Sequence, residues 1–250
     1  GQFAGLLGME HDPFYIYGQH ENPLRFTAPS LTLSDGMDRH RLAERKVFLE
    51  AANKARRQFD HEAAMKHYTQ QQQKAFELLT NTATAGAFDI GREPLKVRER
   101  YGEHLNGMSL LMARRLVEAG VPFITVFWRV DGINSPLAKK CRSAGGWDTH
   151  GNNFNRLKDR LLPVFDRSAA ALITDLDQRG QLDETLVLMI GDFGRTPKIN
   201  GGAGRDHYPF SFSVVLAGGG IRGGRVYGSS DAHAAHPHSL ACGPHDVHAT

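Results

Sequence analysis

Residues 121–130 read VPFITVFWRV, a mostly apolar run of β-branched and aromatic residues between Gly120 and Gly132. Two further apolar runs follow, TLVLMI at 185–190 and FSVVLA at 212–217. Short, nearly continuous apolar runs bounded by turn residues are typical of strands that are buried on both faces of a sheet. We therefore predict three buried strands in the second half of the chain.

Amphipathic helices are predicted before and after the first of these strands. Apolar residues recur at helical spacing at Leu105, Met108, Met112, Leu116 and Ala119. A longer helix is predicted over residues 155–179, and the glycines at 120 and 180 are expected to end the two helices. Helices that alternate with buried strands indicate an α/β domain with a largely parallel sheet.

The first part of the chain is predicted to be helical where its apolar residues recur with the helical repeat. Residues 34–57 and 60–80 each carry an apolar stripe, and the intervening and following segments do not. We interpret residues 34–104 as a helical insertion, a cap or a lateral layer. It would lie within a single domain that spans residues 1–250.

Composition excludes some classes of protein. The 250 residues carry a formal net charge of +3 with acids and bases mixed, which gives no support for nucleic-acid binding. No run approaches the roughly 20 apolar residues of a transmembrane helix. The two cysteines, Cys141 and Cys242, are expected either to pair or to be unrelated thiols.

Polar residues that can bind a metal follow or precede the predicted strands, where ligands gather in open α/β sheets. Asp148 and His150 lie on a glycine-flanked loop, and Asp192 comes just after the second strand. Asp206 and His207 lie before the third. Carboxylates and imidazoles that meet at one sheet edge suit Zn²⁺ or a similar divalent ion.

Each cluster also has a simpler interpretation. Asp148 and Asp192 could bond backbone amides in turns, and His150 could be a surface residue. Asp206 and His207 could form a local ion pair with the preceding arginine. The histidines at 233, 236, 238, 245 and 248 have irregular spacing, and we expect most of them to be solvated.

Four blocks of the sequence resemble a known family. They read LKVRERYGEHLNGMSLLMARRLVEAGVPFITV (95–126), GGWDTHGNNF (145–154), LDETLVLMIGDFGRTPKIN (182–200) and GRDHYPFSFSVVLAGGGIRGGRVYGSSDA (204–232). They are similar to domain-of-unknown-function family 1501, a group of mostly exported bacterial proteins placed with the alkaline phosphatase and sulfatase superfamily. The resemblance implies an alkaline phosphatase-like three-layer sandwich with a mostly parallel sheet, incomplete at both ends of this chain.

The resemblance also implies a metal site. Asp148 with His150, Asp192 and His207 match positions that bind one or two divalent metals, with zinc or calcium expected. Phe193 departs from the superfamily pattern, because an imidazole at that position normally binds metal. Either Asp206 substitutes for it, or the site holds one metal or none.

The activity that the resemblance implies is hydrolysis of a phosphate or sulfate ester, on a small-molecule or glycan substrate. Arg195 and Arg205 are candidates for binding the anion, because guanidinium groups match its oxygens. The nucleophile is expected upstream of Gly1, and the protein is expected to be exported. The alternative is a non-catalytic member that binds an anionic glycan or a protein partner.

Overall fold

The computed structural model describes residues 5–8, 12–28, 40–41, 44–45, 47–48, 86–130 and 146–248. Single 3-10 turns lie at Gly5–Leu7 and Ile90–Arg92, and a π-helical turn lies at Leu157–Leu161. The helices whose bounds the structure gives are α1 (Leu95–Tyr101), α2 (Leu105–Glu118), α3 (Asn153–Arg156), α4 (Leu162–Gln178) and α5 (Pro244–His248). Residues 40–41, 44–45, 47–48 and 86–87 are helical as well.

Within the described residues the strands are short and form two-stranded antiparallel sheets. They are β1 (Tyr17–Gly18), β2 (Phe26–Thr27), β3 (Val187–Met189), β4 (Gly194–Arg195), β5 (His207–Tyr208), β6 (Val215–Ala217), β7 (Ser229–Ser230) and β8 (Pro237–Ser239). The four pairs are β1–β2, β3–β6, β4–β5 and β7–β8. In the β3–β6 pair, Leu188 lies opposite Leu216.

The prediction of an alkaline phosphatase-like sandwich with a mostly parallel sheet is wrong. The strands at 185–190 and 212–217 do form, as β3 and β6, but they pair with each other in antiparallel fashion. A parallel pair needs a crossover connection, usually a helix. The chain between Met189 and Val215 contains only the short β4–β5 pair and no helix, so it returns antiparallel.

The prediction of a strand at residues 121–130 is also wrong. Residues 121–130 belong to no strand, and Phe123, Phe127 and Val130 are exposed. The segment is held by a side chain instead, because the Asn106 amide donates to the Arg129 carbonyl at 2.9 Å and accepts from its N–H at 2.8 Å. Of this run, Val121 and Ile124 pack against the helical core, so its apolar character predicted neither a strand nor burial along its whole length.

The two long helices are confirmed. Helix α2 begins at Leu105, where the His104 ring caps it by accepting from the Gly107 N–H at 3.1 Å. The predicted helix over 155–179 appears as α3, the π-helical turn and α4. Gly120 and Gly180 follow the two helices with φ of 80° and 66°, which glycine adopts without a steric penalty.

The core lies between helices α1, α2 and α4. Helix α2 contributes Met108, Leu111, Met112 and Leu116, which include three positions of the predicted stripe. The remaining members of the buried apolar cluster come from the 3-10 region, α1 and α4: Ala87, Ile90, Tyr101, Ala171, Leu172 and Leu176. Val187 of β3 packs against this cluster, so the strand pair is attached to the helices by one face.

A buried charge network crosses this helical core and was not predicted. The Arg114 side chain is only 1% exposed, and its Nε and Nη2 lie 3.0 Å from Asp175 Oδ2 and 2.9 Å from Glu93 Oε1. Tyr101 donates a hydrogen bond to Asp175 at 3.0 Å. Burial raises the pKa of Asp175. The hydrogen bond from Arg179 and the charge of Arg114 together lower it by more, so its pKa is below the ordinary value.

Several predictions lie outside the described residues. They include the helix at 60–80, most of the helix at 34–57 and one of the two cysteines, Cys141. The boundary of the 34–104 insertion therefore stays a prediction. Among the helices that the structure describes, none combines the length and apolar character needed to cross a bilayer.

Candidate metal centre

The β4–β5 pair positions one side of the candidate site. Its register places Arg195 opposite His207 and Gly194 opposite Tyr208. The chain that follows β5 approaches β4 closely at Gly194, where a Cβ atom would lie 2.1 Å from the Ser211 carbonyl oxygen. Glycine is therefore required there, and the pairing holds the Arg195 and His207 side chains beside each other.

The loop at 146–150 forms the other side. Thr149 is buried, and its carbonyl accepts a hydrogen bond from the Arg205 N–H at 3.1 Å. The Trp147 carbonyl accepts one from Arg195 Nη2 at 3.0 Å. These bonds place Asp148 and His150 against the segment that carries His207.

Three potential ligand atoms meet between the two sides. Asp148 Oδ1 lies 3.1 Å from His150 Nε2 and 3.0 Å from His207 Nε2, and the two Nε2 atoms are 3.1 Å apart. Among the described residues, these three form the one group of at least three His, Cys, Asp or Glu side chains whose ligand atoms lie close enough together to hold a metal ion. The three atoms define a triangle with nearly equal sides.

The size of this triangle fits a small tetrahedral cation. An ion with bonds of about 2.0–2.1 Å to nitrogen and oxygen keeps its ligand atoms about 3.3 Å apart, slightly more than the sides observed. The side chains of Asp148, His150 and His207 are 67%, 46% and 49% exposed. The three candidate ligands are therefore accessible from solvent.

Asp148 is ionised over the whole neutral range. The hydrogen bond from His207 and the one from Arg195 Nη2, at 2.9 Å, lower the pKa of its carboxyl to about 2. Its oxygen thus offers a negative charge at the centre of the cluster without needing a base to deprotonate it.

Asp206 is next to the cluster but on its far side. Its Oδ1 lies 2.7 Å from His150 Nδ1, the ring nitrogen that does not face Asp148 and His207. The bonds from His150 and from Asn200, the latter 3.0 Å long, lower the pKa of Asp206. Asp206 is therefore placed to orient a ligand, and it does not belong to the group of three.

Asp192 is not brought into the group of three. Its Oδ1 accepts a hydrogen bond from the Phe193 N–H at 3.1 Å, the turn contact that was its simpler interpretation. The Phe193 ring lies 4.1 Å from the His207 ring, centroid to centroid. The Phe193 ring thus packs beside the His207 imidazole.

The two candidate anion-binding arginines have different surroundings. Arg195 is engaged with Asp148 and with two backbone carbonyls, those of Trp147 and Arg205. The Arg205 guanidinium lies over the Phe154 ring at 5.3 Å, and its Nε makes no hydrogen bond within the described residues. Arg195 is therefore placed to hold Asp148, and Arg205 is the better placed of the two to bind an anion.

Two contributors were missed by the sequence reasoning. Arg156 donates to the Asp148 carbonyl at 3.4 Å, which adds a cation beside the loop. Asn200 bonds both the His150 carbonyl and Asp206, each at 3.0 Å. An asparagine directly before Gly201 and Gly202 is a turn signal, and it could have indicated that this loop is built around Asn200.

Four of the C-terminal histidines are exposed, as predicted: His233, His236, His238 and His245. In that region Asp231 accepts hydrogen bonds from three backbone N–H groups, those of residues 233, 235 and 236. These bonds lower the pKa of Asp231, with the bond from Ala235 contributing most. Asp231 thus shapes a turn, and these histidines form no metal-ligand group in the described chain.

Replacing Gly204 with alanine is expected to disturb the cluster. A Cβ atom at this buried glycine would lie 1.9 Å from the His150 carbonyl oxygen. Such overpacking costs about 1–3 kcal/mol and should displace His150. Gly201→Ala in the same loop is the control, because nothing lies within 4 Å of its Cβ position. Urea unfolding and zinc titration should show loss in the first variant only, and equal behaviour of the two would contradict this role.

A family model described as "Protein of unknown function (DUF1501)" matches residues 1–250. The comparison with curated proteins gave no match, and the comparison with solved structures gave none. The family match agrees with the resemblance carried by the four sequence blocks. The wider grouping with the alkaline phosphatase and sulfatase superfamily stays a prediction.

Proposed function

This chain belongs to the family described as a protein of unknown function, DUF1501, and we propose that it is a metal-dependent hydrolase of phosphate or sulfate esters. The proposal rests on one observation, the mutual approach of Asp148 Oδ1, His150 Nε2 and His207 Nε2 to 3.0–3.1 Å. The ester substrate is proposed from the resemblance to the sulfatase and phosphatase superfamily, together with the arginines beside the cluster.

Zinc suits this donor set better than calcium. Two imidazole nitrogens and one carboxylate oxygen are ordinary zinc ligands, and three protein ligands with an open fourth position are typical of catalytic zinc. Calcium takes six to eight oxygen ligands, and the group of three offers one carboxylate. We therefore narrow the expectation of zinc or calcium to zinc.

A zinc ion held by Asp148, His150 and His207 would act as a Lewis acid and polarise an ester oxygen. The chain's own contribution is to hold three ligands on one side, so that the substrate can approach from the solvent side. Arg195 keeps the Asp148 carboxylate in place through its 2.9 Å bond. Hydrolysis then adds water across the ester, which releases an alcohol and inorganic phosphate or sulfate.

The anion is proposed to bind towards Arg205. Guanidinium groups donate two parallel hydrogen bonds to phosphate or sulfate oxygens. Arg205 is tied to the metal-binding loop by its backbone bond to Thr149, and Arg156 adds a second positive charge next to Asp148. An anionic group beside the cluster would therefore meet two guanidinium groups as well as the metal.

The test is hydrolysis of p-nitrophenyl phosphate and p-nitrophenyl sulfate by the zinc-loaded protein. Turnover of one ester is expected, with its loss on chelation and in the His207→Ala variant, and with no loss in His238→Ala. Turnover that survives both chelation and His207→Ala would contradict the proposal. Stoichiometric zinc without turnover of either ester would favour the alternative, a non-catalytic protein that binds an anionic glycan or a protein partner.

A further inference from the structure

The outer side of the His150 ring contacts Asp206. We infer that Asp206 is a positioning residue and not a metal ligand. It fixes the ring proton of His150 on Nδ1 and so keeps Nε2 free to bind the metal. The inference rests on the proposed metal site, which it refines by separating the residues that bind the ion from those that orient them.

The geometry assigns different tasks to the two ring nitrogens. Nδ1 faces Asp206 Oδ1 at 2.7 Å, a distance typical of a hydrogen bond to a charged acceptor. Nε2 faces Asp148 at 3.1 Å and His207 at 3.1 Å. Both ring nitrogens face carboxylates, which can only accept when ionised, so a doubly protonated ring would donate to both. In the neutral ring the proton stays on Nδ1, because the 2.7 Å contact with Asp206 is shorter than the 3.1 Å contact of Nε2 with Asp148. A metal-binding histidine commonly donates its other ring N–H to such a carboxylate.

Asp206 is itself held in place on several sides. Asn200 Nδ2 donates to Asp206 Oδ1 at 3.0 Å and also to the His150 carbonyl at 3.0 Å. The Asp206 N–H donates to Thr196 Oγ1 at 3.0 Å.

Asn200 is fixed in turn by its own loop. Its Oδ1 accepts from the N–H groups of Gly202 and Gly204, at 2.9 and 3.0 Å. The loop at 200–206 is therefore built to hold one carboxylate against one imidazole nitrogen.

This arrangement leaves the centre of the cluster short of protons. With its proton on Nδ1, His150 presents a lone pair to Asp148 Oδ1, which is also an acceptor, at 3.1 Å. His207 Nε2 must supply the one hydrogen that these two atoms share, at 3.0 and 3.1 Å. Two acceptors in contact repel each other, and a cation between them would remove that repulsion. The His150 tautomer thus presents one lone pair before any metal binds, and His207 would present its own only after its Nε2 proton has moved to Nδ1 or to solvent.

The test begins with the metal-free protein, so that it does not depend on activity. Nitrogen-15 NMR of the histidine rings at about pH 9, where an ordinary imidazole is neutral, should place the His150 proton on Nδ1. In Asp206→Ala the Nε2–H form should gain at the expense of the Nδ1–H form. Exposed His238 serves as the internal control, and its tautomer should not change. A wild-type His150 with its proton on Nε2 would overturn the inference.

Zinc affinity is the second readout. Loss of an orienting partner typically weakens metal binding about 10–100-fold, so Asp206→Ala should still bind one zinc with lower affinity. Asp206→Asn keeps an oxygen that can accept from Nδ1 and should recover part of the loss. Unchanged affinity in Asp206→Ala would overturn the inference, and so would complete loss of zinc, which would make Asp206 a ligand.

The two proposals fail separately. If the wild-type protein binds no zinc, the proposed function is contradicted, and the NMR result still decides whether Asp206 sets the tautomer of His150. If zinc binds and the His150 tautomer does not respond to Asp206→Ala, the positioning role is wrong and the metal site stands.

Discussion

Replacing His207 with alanine is expected to lower bound zinc from about one equivalent to nearly none, because a site with three protein ligands loses one of them. The fold should survive, since the side chain is 49% exposed and lies on a two-residue strand. Elemental analysis after dialysis measures the effect, and circular dichroism checks the fold. Asp148→Asn should behave in the same way, because it removes the one charged ligand of the three.

The matched control is His238→Ala, which removes an exposed histidine from another short strand, β8. It should retain the zinc of the wild-type protein. Asp192→Asn tests a metal-ligand candidate that the sequence suggests but the structure places outside the group of three. Retention of zinc is expected there. Loss of zinc in Asp192→Asn, or retention in His207→Ala, would show that the ion binds elsewhere.

The second large effect is expected in the helical core, where Asp175→Ala should destabilise the protein by about 3–5 kcal/mol. Asp175 is 4% exposed and contacts Arg114, which is 1% exposed, from one helix to the next. Removing the carboxylate leaves the buried guanidinium with less of its counter-charge. Urea unfolding measures the change. A loss below about 1 kcal/mol would contradict a stabilising role for the network.

Two further variants make this test specific. Arg92→Ala breaks the exposed ion pair between Arg92 and Asp89, at 2.9 Å, and should cost no more than about 1 kcal/mol. If Asp175→Ala fails to fold, Tyr101→Phe removes only the hydroxyl that donates to Asp175. Leaving that part of the network unsatisfied should cost about 1–3 kcal/mol.

Local periodicity predicted the helices well, because an amphipathic stripe is a property of neighbouring residues. Leu105, Met108, Met112 and Leu116 recur with the helical repeat, and the structure buries all four. The helix ends could also be predicted from neighbouring residues, since Gly120 and Gly180 adopt positive φ where the apolar pattern stops. Each of these predictions needed only a few residues of context.

Strand pairing failed because it is not local. The run at 185–190 is apolar enough for a strand buried on both faces, yet Leu186, Leu188 and Ile190 are exposed in the described chain. Alternate residues point to opposite faces of a strand, so the exposed three share one face, while Val187 packs on the helices. The sequence pattern shows how apolar a run is. It does not show which strand it pairs with, whether the pairing is parallel, or what packs on each of its faces.

The candidate site was half predictable for a similar reason. Asp148, His150 and His207 were indicated by residue type on glycine-rich loops, and the structure brings these three together. The sequence did not show that Asp206 would orient His150 instead of joining the proposed ligands, because that role depends on which ring nitrogen of His150 faces Asp206. The buried pair of Arg114 and Asp175 was missed as well, since its members are distant in sequence and each looks like a surface charge.

The most direct measurement is X-ray absorption at the zinc edge on the zinc-loaded protein. A first shell of nitrogen and oxygen at about 2.0–2.1 Å is predicted, with outer-shell scattering from two imidazole rings and no sulfur. In His207→Ala the scattering should fall to one ring or the zinc should be lost. A shell without imidazole, or one that contains sulfur, would contradict a metal centre built from Asp148, His150 and His207.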